Sequence, residues 1–373
     1  MKKLWLTGAV LAAGLALGGI AQAQIKLGVA GPITGPNAPF GAQLKNGTEL
    51  AVKNINAAGG ILGQQVSVEV GDDVSDPKQG VSVANKFVGD GVTMVVGHFN
   101  SGVTIPASEV YSDNGVIFIT PSATNEKVTD RNLWNAFRTC GRDDQQAKVW
   151  SDFIVANFKG KKIAIVHDKT TYGQGLATNA KKFLNEAGVT ETIFEGVNVG
   201  EKDYSAIVTK MKAEGADVLV WGGLYTEAAL ILKQLRDQGM NTVMLSGDGI
   251  TSADFATIGG DAVIGTLMTF PPKPENIPAN ASIVKQFKDT GFNPEAYTFY
   301  SYAAVEIFKQ AAEEAKSVDP QKMAEVMHTG KVFHTVLGDL SYDKKGDLTK
   351  AGYVLYTWKK GPDGKIDYFQ NPS

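Results

Sequence analysis

Three observations predict an α/β protein of two Rossmann-like lobes with parallel central sheets joined by a multi-crossing hinge. Apolar, β-branched runs recur along the chain, helix-period segments separate them, and the series starts afresh after FRTCGRDDQQ, residues 137–146. Alternation of this kind covers a parallel sheet with helices on both faces.

The opening segment stands apart from the fold. Residues 1–24 read MKKLWLTGAVLAAGLALGGIAQAQ: two lysines, an apolar run, and Ala21-Gln22-Ala23, which has the form cut by signal peptidase. The spacing predicts a signal peptide over 1–23 and a mature protein starting near Gln24. No cysteine sits at the cut to take a lipid, so the expected address is the periplasm, free of the membrane.

Strands are predicted at IKLGVA (25–30), VSVEV (66–70), VTMVV (92–96) and VIFI (116–119), then at IAIVH (163–167), DVLVW (217–221) and TVMLS (242–246). Helix-period segments fill most intervals. Leu44, Leu50, Ala51 and Ile55 share a face over 41–57 before Gly59-Gly60, and 227–238 repeats the pattern before Gly239. FPPKPENIPANAS (270–282) is the clearest break. The strand-poor stretch 281–330 cannot complete a sheet alone, so the chain is expected to return to the first lobe. The division that follows is 24–141 with 271–350 for lobe 1, and 142–270 with 351–373 for lobe 2.

Composition narrows the function. Among 373 residues, 36 are basic and 39 acidic, and loss of Lys2 and Lys3 makes the net charge of −3 more negative. The lysines are scattered among acids, as in KGKK (159–162) and DKKGD (343–347), which read as solvated turns. No basic face for nucleic acid is indicated. Cys140 is the only cysteine, so no intrachain disulfide forms and both lobes must rely on ordinary cores.

Ligands of open parallel sheets sit beyond the carboxyl ends of the strands. Small polar or acidic groups cluster at five such ends: Gly97 to Ser101, TPSATN (120–125), HDKTTYGQG (167–175), GGLYTE (222–227) and SGDGIT (246–251). Two facing lobes would bring all five to one cleft. Ser101 opens a helix, where unpaired N–H groups and the positive end of the dipole favour an anion; the alternative is that it caps that helix.

The residues then show a resemblance. GPITGPNAPFG, INAAGGILG, DDVSDPKQGVSVANKFV, VVGHFNSGVTIPAS, TPSATN, FRTCGRDDQQ, AIVHDKTTYGQG, GEKDYSAIV, SGDGIT and EAYTFYSYAAVE match, in order and spacing, the leucine/isoleucine/valine-binding proteins that serve branched-chain amino acid ABC transporters. The resemblance covers essentially the whole mature chain. DDVSDPKQG, FRTCGRDDQQ and WGGLYTEA look most like rhizobial members, some of which also take GABA, proline or alanine.

The resemblance implies the type I periplasmic binding protein fold, no cofactor, a small amino acid as ligand, a membrane permease as partner, and a monomer. It also implies roles for particular residues. Ser101 would bind the ligand carboxylate. Ser122 and Thr124 would meet the headgroups, and Asp248 the ammonium. Phe40, Phe99, Tyr172, Tyr225 and Tyr297 would surround the side chain, although Leu224 stands where branched-chain receptors usually carry the tyrosine that Tyr225 would replace. Asp248 has a second reading as the turn former before Gly249, and core packing is the usual task of any single aromatic. Three departures bear on specificity. Asp248 replaces the glutamate of enteric members, Phe99 crowds the carboxylate end, and Ser75 and Asn100 occupy the places of a paired cysteine couple.

Other functions lack their residues. GHFNSG is not G-x-S-x-G, so a serine hydrolase has no elbow. His98, His167, His328 and His334 lack zinc-ligand spacing, and YGQGLAT has only two glycines of a dinucleotide loop. Two alternatives remain within the fold: an aromatic or other carboxylate as ligand, and service as a sensor for a separate signalling partner.

Overall fold

The computed structural model describes residues 24–372; the expected signal peptide over 1–23 lies outside them. The first series runs β1 (Ile25–Gly31), α1 (Ala38–Ala57), β2 (Val66–Asp72), α2 (Pro77–Gly89), β3 (Met94–Val96), α3 (Ser101–Asp113), β4 (Ile117–Thr120) and β5 (Ala136–Arg138). These strands form one parallel sheet in the order β2-β1-β3-β4-β5. Local chemistry starts its helices: Asp76 accepts the Gln79 N–H at 2.8 Å with Pro77 in the first turn of α2.

The second series follows with α4 (Asp143–Asn157), β6 (Ile163–His167), α5 (Thr171–Glu186), β7 (Ile193–Gly196), α6 (Ser205–Glu214), β8 (Val218–Gly222), α7 (Tyr225–Asp237), β9 (Val243–Ser246), α8 (Asp254–Gly259) and β10 (Leu267–Phe270). Next come α9 (Ala281–Asp289), α10 (Ala296–Ala315), α11 (Pro320–His328), the small hairpin of β11 (Phe333–Thr335) and β12 (Gly338–Leu340), then β13 (Val354–Lys360) and β14 (Ile366–Gln370). The second sheet has the order β14-β13-β10-β9-β8-β6-β7, parallel from β7 to β10 and antiparallel at β13 and β14.

All seven predicted strands form. Most strands not predicted are short, the exception being the seven-residue β13. AFR and IFEG, at β5 and β7, hold too few residues to show a period.

Helix α10 packs on α1. Gln43 of α1 donates from Nε2 to Glu295 Oε2 at 3.0 Å and accepts the Tyr297 N–H at 2.9 Å. Gly47 permits the close approach, because a Cβ there would lie 2.2 Å from the Thr298 carbonyl oxygen. The chain therefore crosses between the sheets three times, after β5, after β10 and before β13.

One predicted surface run is exposed at Asp343, Lys344 and Lys345 but buried at its end. Within DKKGD, Asp347 is 5% exposed, with its Oδ1 2.7 Å from Nε of the fully buried Arg138 and its Oδ2 2.7 Å from Arg142 Nη1. The charge pattern read as a solvated turn because its partners lie some 200 residues away in sequence.

Candidate ligand-binding cleft

Five loops meet between the sheets, each at the carboxyl end of a strand. A small cavity lies there, lined by Phe99, Asn100 and Ser101 after β3, Ser122 after β4, Tyr172 at the start of α5, Leu224 after β8, Asp248 and Gly249 after β9, and Tyr297 in α10. The lobes touch around it: Tyr225 donates its phenol to the Pro36 carbonyl at 2.7 Å, Asn179 Nδ2 donates to Glu126 Oε1 at 2.6 Å, and Asn125 Nδ2 to the Thr171 carbonyl at 3.2 Å.

Ser101 is the first residue of α3, with Asn100 in the cap position. Its hydroxyl oxygen accepts the Asn125 N–H at 3.2 Å, which leaves the hydroxyl proton available toward the cavity. The simple capping reading of Ser101 therefore fails. Ser122 donates to the Phe99 carbonyl at 3.0 Å and so ties the two loops of the first lobe together. Beneath them His98 is fully buried between Asp73 Oδ2 (2.7 Å) and Tyr111 OH (2.9 Å), away from the cavity.

Asp248 is the counterpart on the other side. Its carboxylate is 2% exposed and takes three hydrogen bonds, from Gln146 Nε2 (2.9 Å) and Tyr172 OH (2.9 Å) on Oδ1 and from Tyr297 OH (2.8 Å) on Oδ2. Burial and the adjacent carboxylate hold both phenols well above their ordinary pKa, so both stay protonated and donate. Burial also raises the Asp248 pKa, against the pull of the three donors. Every donor is neutral, and among the described residues no basic side chain pairs with it. Its backbone opens the short helical turn Asp248–Ile250, as the turn reading expected, while its side chain turns to these three donors. A buried carboxylate without a cation carries an unmet electrostatic demand that a bound ammonium would satisfy.

The other expected site residues fall behind this wall. Phe40 stacks on Phe99 with centroids 4.3 Å apart and meets Tyr225 and Tyr297 edge-on, so Phe40 and Tyr225 brace the cavity instead of lining it. Thr124 is fully buried, and its carbonyl accepts the Asp143 N–H at 2.9 Å. Gln146 was not singled out from the sequence, since DDQQ reads as a polar first turn. The signal was its helical phase, four residues before Trp150 and eight before Ile154 on the buried face of α4.

Two α/β lobes with a polar-ended cavity between them at their strand ends have the form of a solute-binding protein. The chain belongs to the periplasmic binding protein family, whose pattern matches residues 24–364, and within it to the branched-chain amino acid group. It is 58% identical over 370 residues, 99% of this chain and 100% of the relative, to Leu/Ile/Val-binding protein homolog 1 of Brucella melitensis. Two solved structures share the fold at 26% identity. The leucine-binding protein LivK of Thermotoga maritima has a TM-score of 0.84, covering 93% of this chain and 99% of that one. The substrate-binding protein LivJ of Streptococcus pneumoniae, solved with isoleucine, has 0.81 over 94% and 100%. The family is one of substrate-binding proteins. Among the described residues no helix is long and apolar enough to cross a membrane, and no group of His, Cys, Asp or Glu has metal-site geometry.

Proposed function

We propose that this protein captures a small neutral amino acid, branched-chain or GABA, in the periplasm and delivers it to the permease of an ABC transporter. The reading rests above all on the opposition of Ser101, at a helix N-terminus, to Asp248, a buried carboxylate with only neutral donors. One pole suits a carboxylate and the other an ammonium. The leucine and isoleucine named for its relatives point the same way. Phe99, Leu224 and Tyr297 would hold the aliphatic part.

In this reading Ser122 and the loop through Thr124 frame the headgroup, and the lobes, 24–141 with 271–350 and 142–270 with 351–373, close over the solute. Closure presents one compact monomer to the permease. No bond is made or broken.

A thermal-shift screen of ligand-stripped protein against leucine, isoleucine, valine, alanine, proline and GABA tests this, since a ligand that binds only the folded form raises the melting temperature. At least one should do so, and Asp248→Ala should weaken it by about 2–5 kcal/mol. Asp248→Glu moves the carboxylate inward by a methylene, so the Kd ratio of GABA to leucine should rise. No shift with any of the six would reject the proposal.

A further inference from the structure

Behind Asp248 lies a polar chain that the binding poles do not account for. Gln146 of α4 is fully buried. Its Oε1 accepts the Asp248 N–H at 3.2 Å and the Thr269 hydroxyl at 2.9 Å, while its Nε2 donates to Asp248 Oδ1 at 2.9 Å. Thr269, on β10 and also fully buried, accepts the indole N–H of Trp150 at 2.8 Å.

The directions of these bonds are forced. An indole nitrogen only donates, so the Thr269 oxygen must accept there, and its one proton goes to Gln146. That settles which way the amide faces: Oε1 toward Thr269, Nε2 toward Asp248. A flipped amide would set NH2 against the Asp248 N–H and an oxygen against its carboxylate. Each bond therefore polarises the next in one sense, from Trp150 to Asp248.

We infer that Gln146, fixed by Thr269 and Trp150, is a positioning residue that keeps the Asp248 carboxylate ionised and aimed at the cavity. This deepens the reading of Asp248 as the ammonium partner and rests on it. Other titratable groups around Asp248 are Cys140 and Asp143 at the α4 end, Tyr172 of α5, Tyr297 and Tyr300 of α10, and Tyr353 before β13. All six are acids, neutral or negative at any pH, so none supplies a positive charge, and the neutral amide is the one donor held by its own relay.

The test follows the Asp248 carboxyl carbon by NMR in ligand-free protein labelled with 13C-aspartate, with Asp248→Asn to assign the signal. In Gln146→Leu and in the milder Thr269→Val its titration midpoint should move up, and Thr269→Ser, which keeps the hydroxyl, should restore it. Leucine and GABA titrated in parallel should bind Gln146→Leu about 10- to 100-fold more weakly, the loss of a hydrogen bond to a charged group, with the loss deepening as pH falls. Ser101→Ala should weaken binding with a profile parallel to the wild type. A midpoint unmoved in both Gln146→Leu and Thr269→Val overturns the inference and leaves the ligand reading standing. A moved midpoint with Asp248→Ala still binding both ligands at full strength rejects the ligand reading instead, and with it any function for the relay.

Discussion

Ser101 and Asp248 differ in how their side chains are spent. The Ser101 hydroxyl oxygen is occupied by Asn125 and its proton is not, whereas both Asp248 oxygens are occupied and its charge is not. The first arrangement predicts one shared effect. Ser101→Ala should weaken every α-amino acid that binds by a similar amount, about 1.5–3 kcal/mol, because it removes a bond to a group they all carry; calorimetry with several ligands would show it, and a loss confined to one ligand would make Ser101 a side-chain selector. Loop positions marked the stretches carrying Ser101, Ser122, Tyr172 and Asp248 before any coordinates, and the family resemblance picked out those residues within them. Gln146 was hidden because a glutamine in a polar run carries no sign of burial, and Phe40 and Tyr225 were misplaced by one layer because an aromatic near a site looks the same in front of the wall or behind it.

Elements were legible where a period had room to develop, as in α1 with its apolar face ending at Gly59-Gly60. The segment carrying Asp347 had no such period, and its role depends on partners far away in the chain. Arg138 is the centre of that region: it donates to the Ala123 and Asn125 carbonyls at 2.8 and 3.2 Å and to the Thr129 hydroxyl, so the loop bearing Ser122 hangs from a guanidinium that Asp347 neutralises. Removing one member of a buried ion pair strands the other, at a cost of about 3–5 kcal/mol. Asp347→Ala should lower the urea midpoint accordingly, while Lys344→Ala in the same exposed turn should leave it unchanged. Equal midpoints for the two variants would show that water already screens the pair.

Across the whole molecule, two partly buried acids of the first lobe couple stability to pH. Glu295, at the start of α10, accepts from Gln43 in its own lobe and from the Ala253 N–H at 3.4 Å across the cleft. Burial holds its pKa at about 7, and that of Glu306 also at about 7, both above the ordinary glutamate value of 4.5. The folded protein thus grips these two protons more tightly than the unfolded chain. Their contribution to stability is complete below that ordinary value and is lost as pH rises through about 7. Glu295→Gln combined with Glu306→Gln should flatten the fall in melting temperature between about pH 5 and about pH 8 relative to the wild type; an unchanged slope would place the titration elsewhere.

The joint between α1 and α10 also sets an order of assembly. The bond from Tyr297 to Gln43 spans 254 residues, so a chain emerging from its N-terminus makes all five strands of the first sheet long before the helix that covers them. Until α10 arrives, one apolar face of α1 stays bare, and closing so long a loop is slow. The first lobe should therefore set late, leaving a nascent chain pliable for most of its synthesis, the condition in which a polypeptide can still be threaded through a narrow pore. A fragment ending at Gly141 should accordingly stay partly unfolded and self-associate, although it contains every strand of a complete sheet.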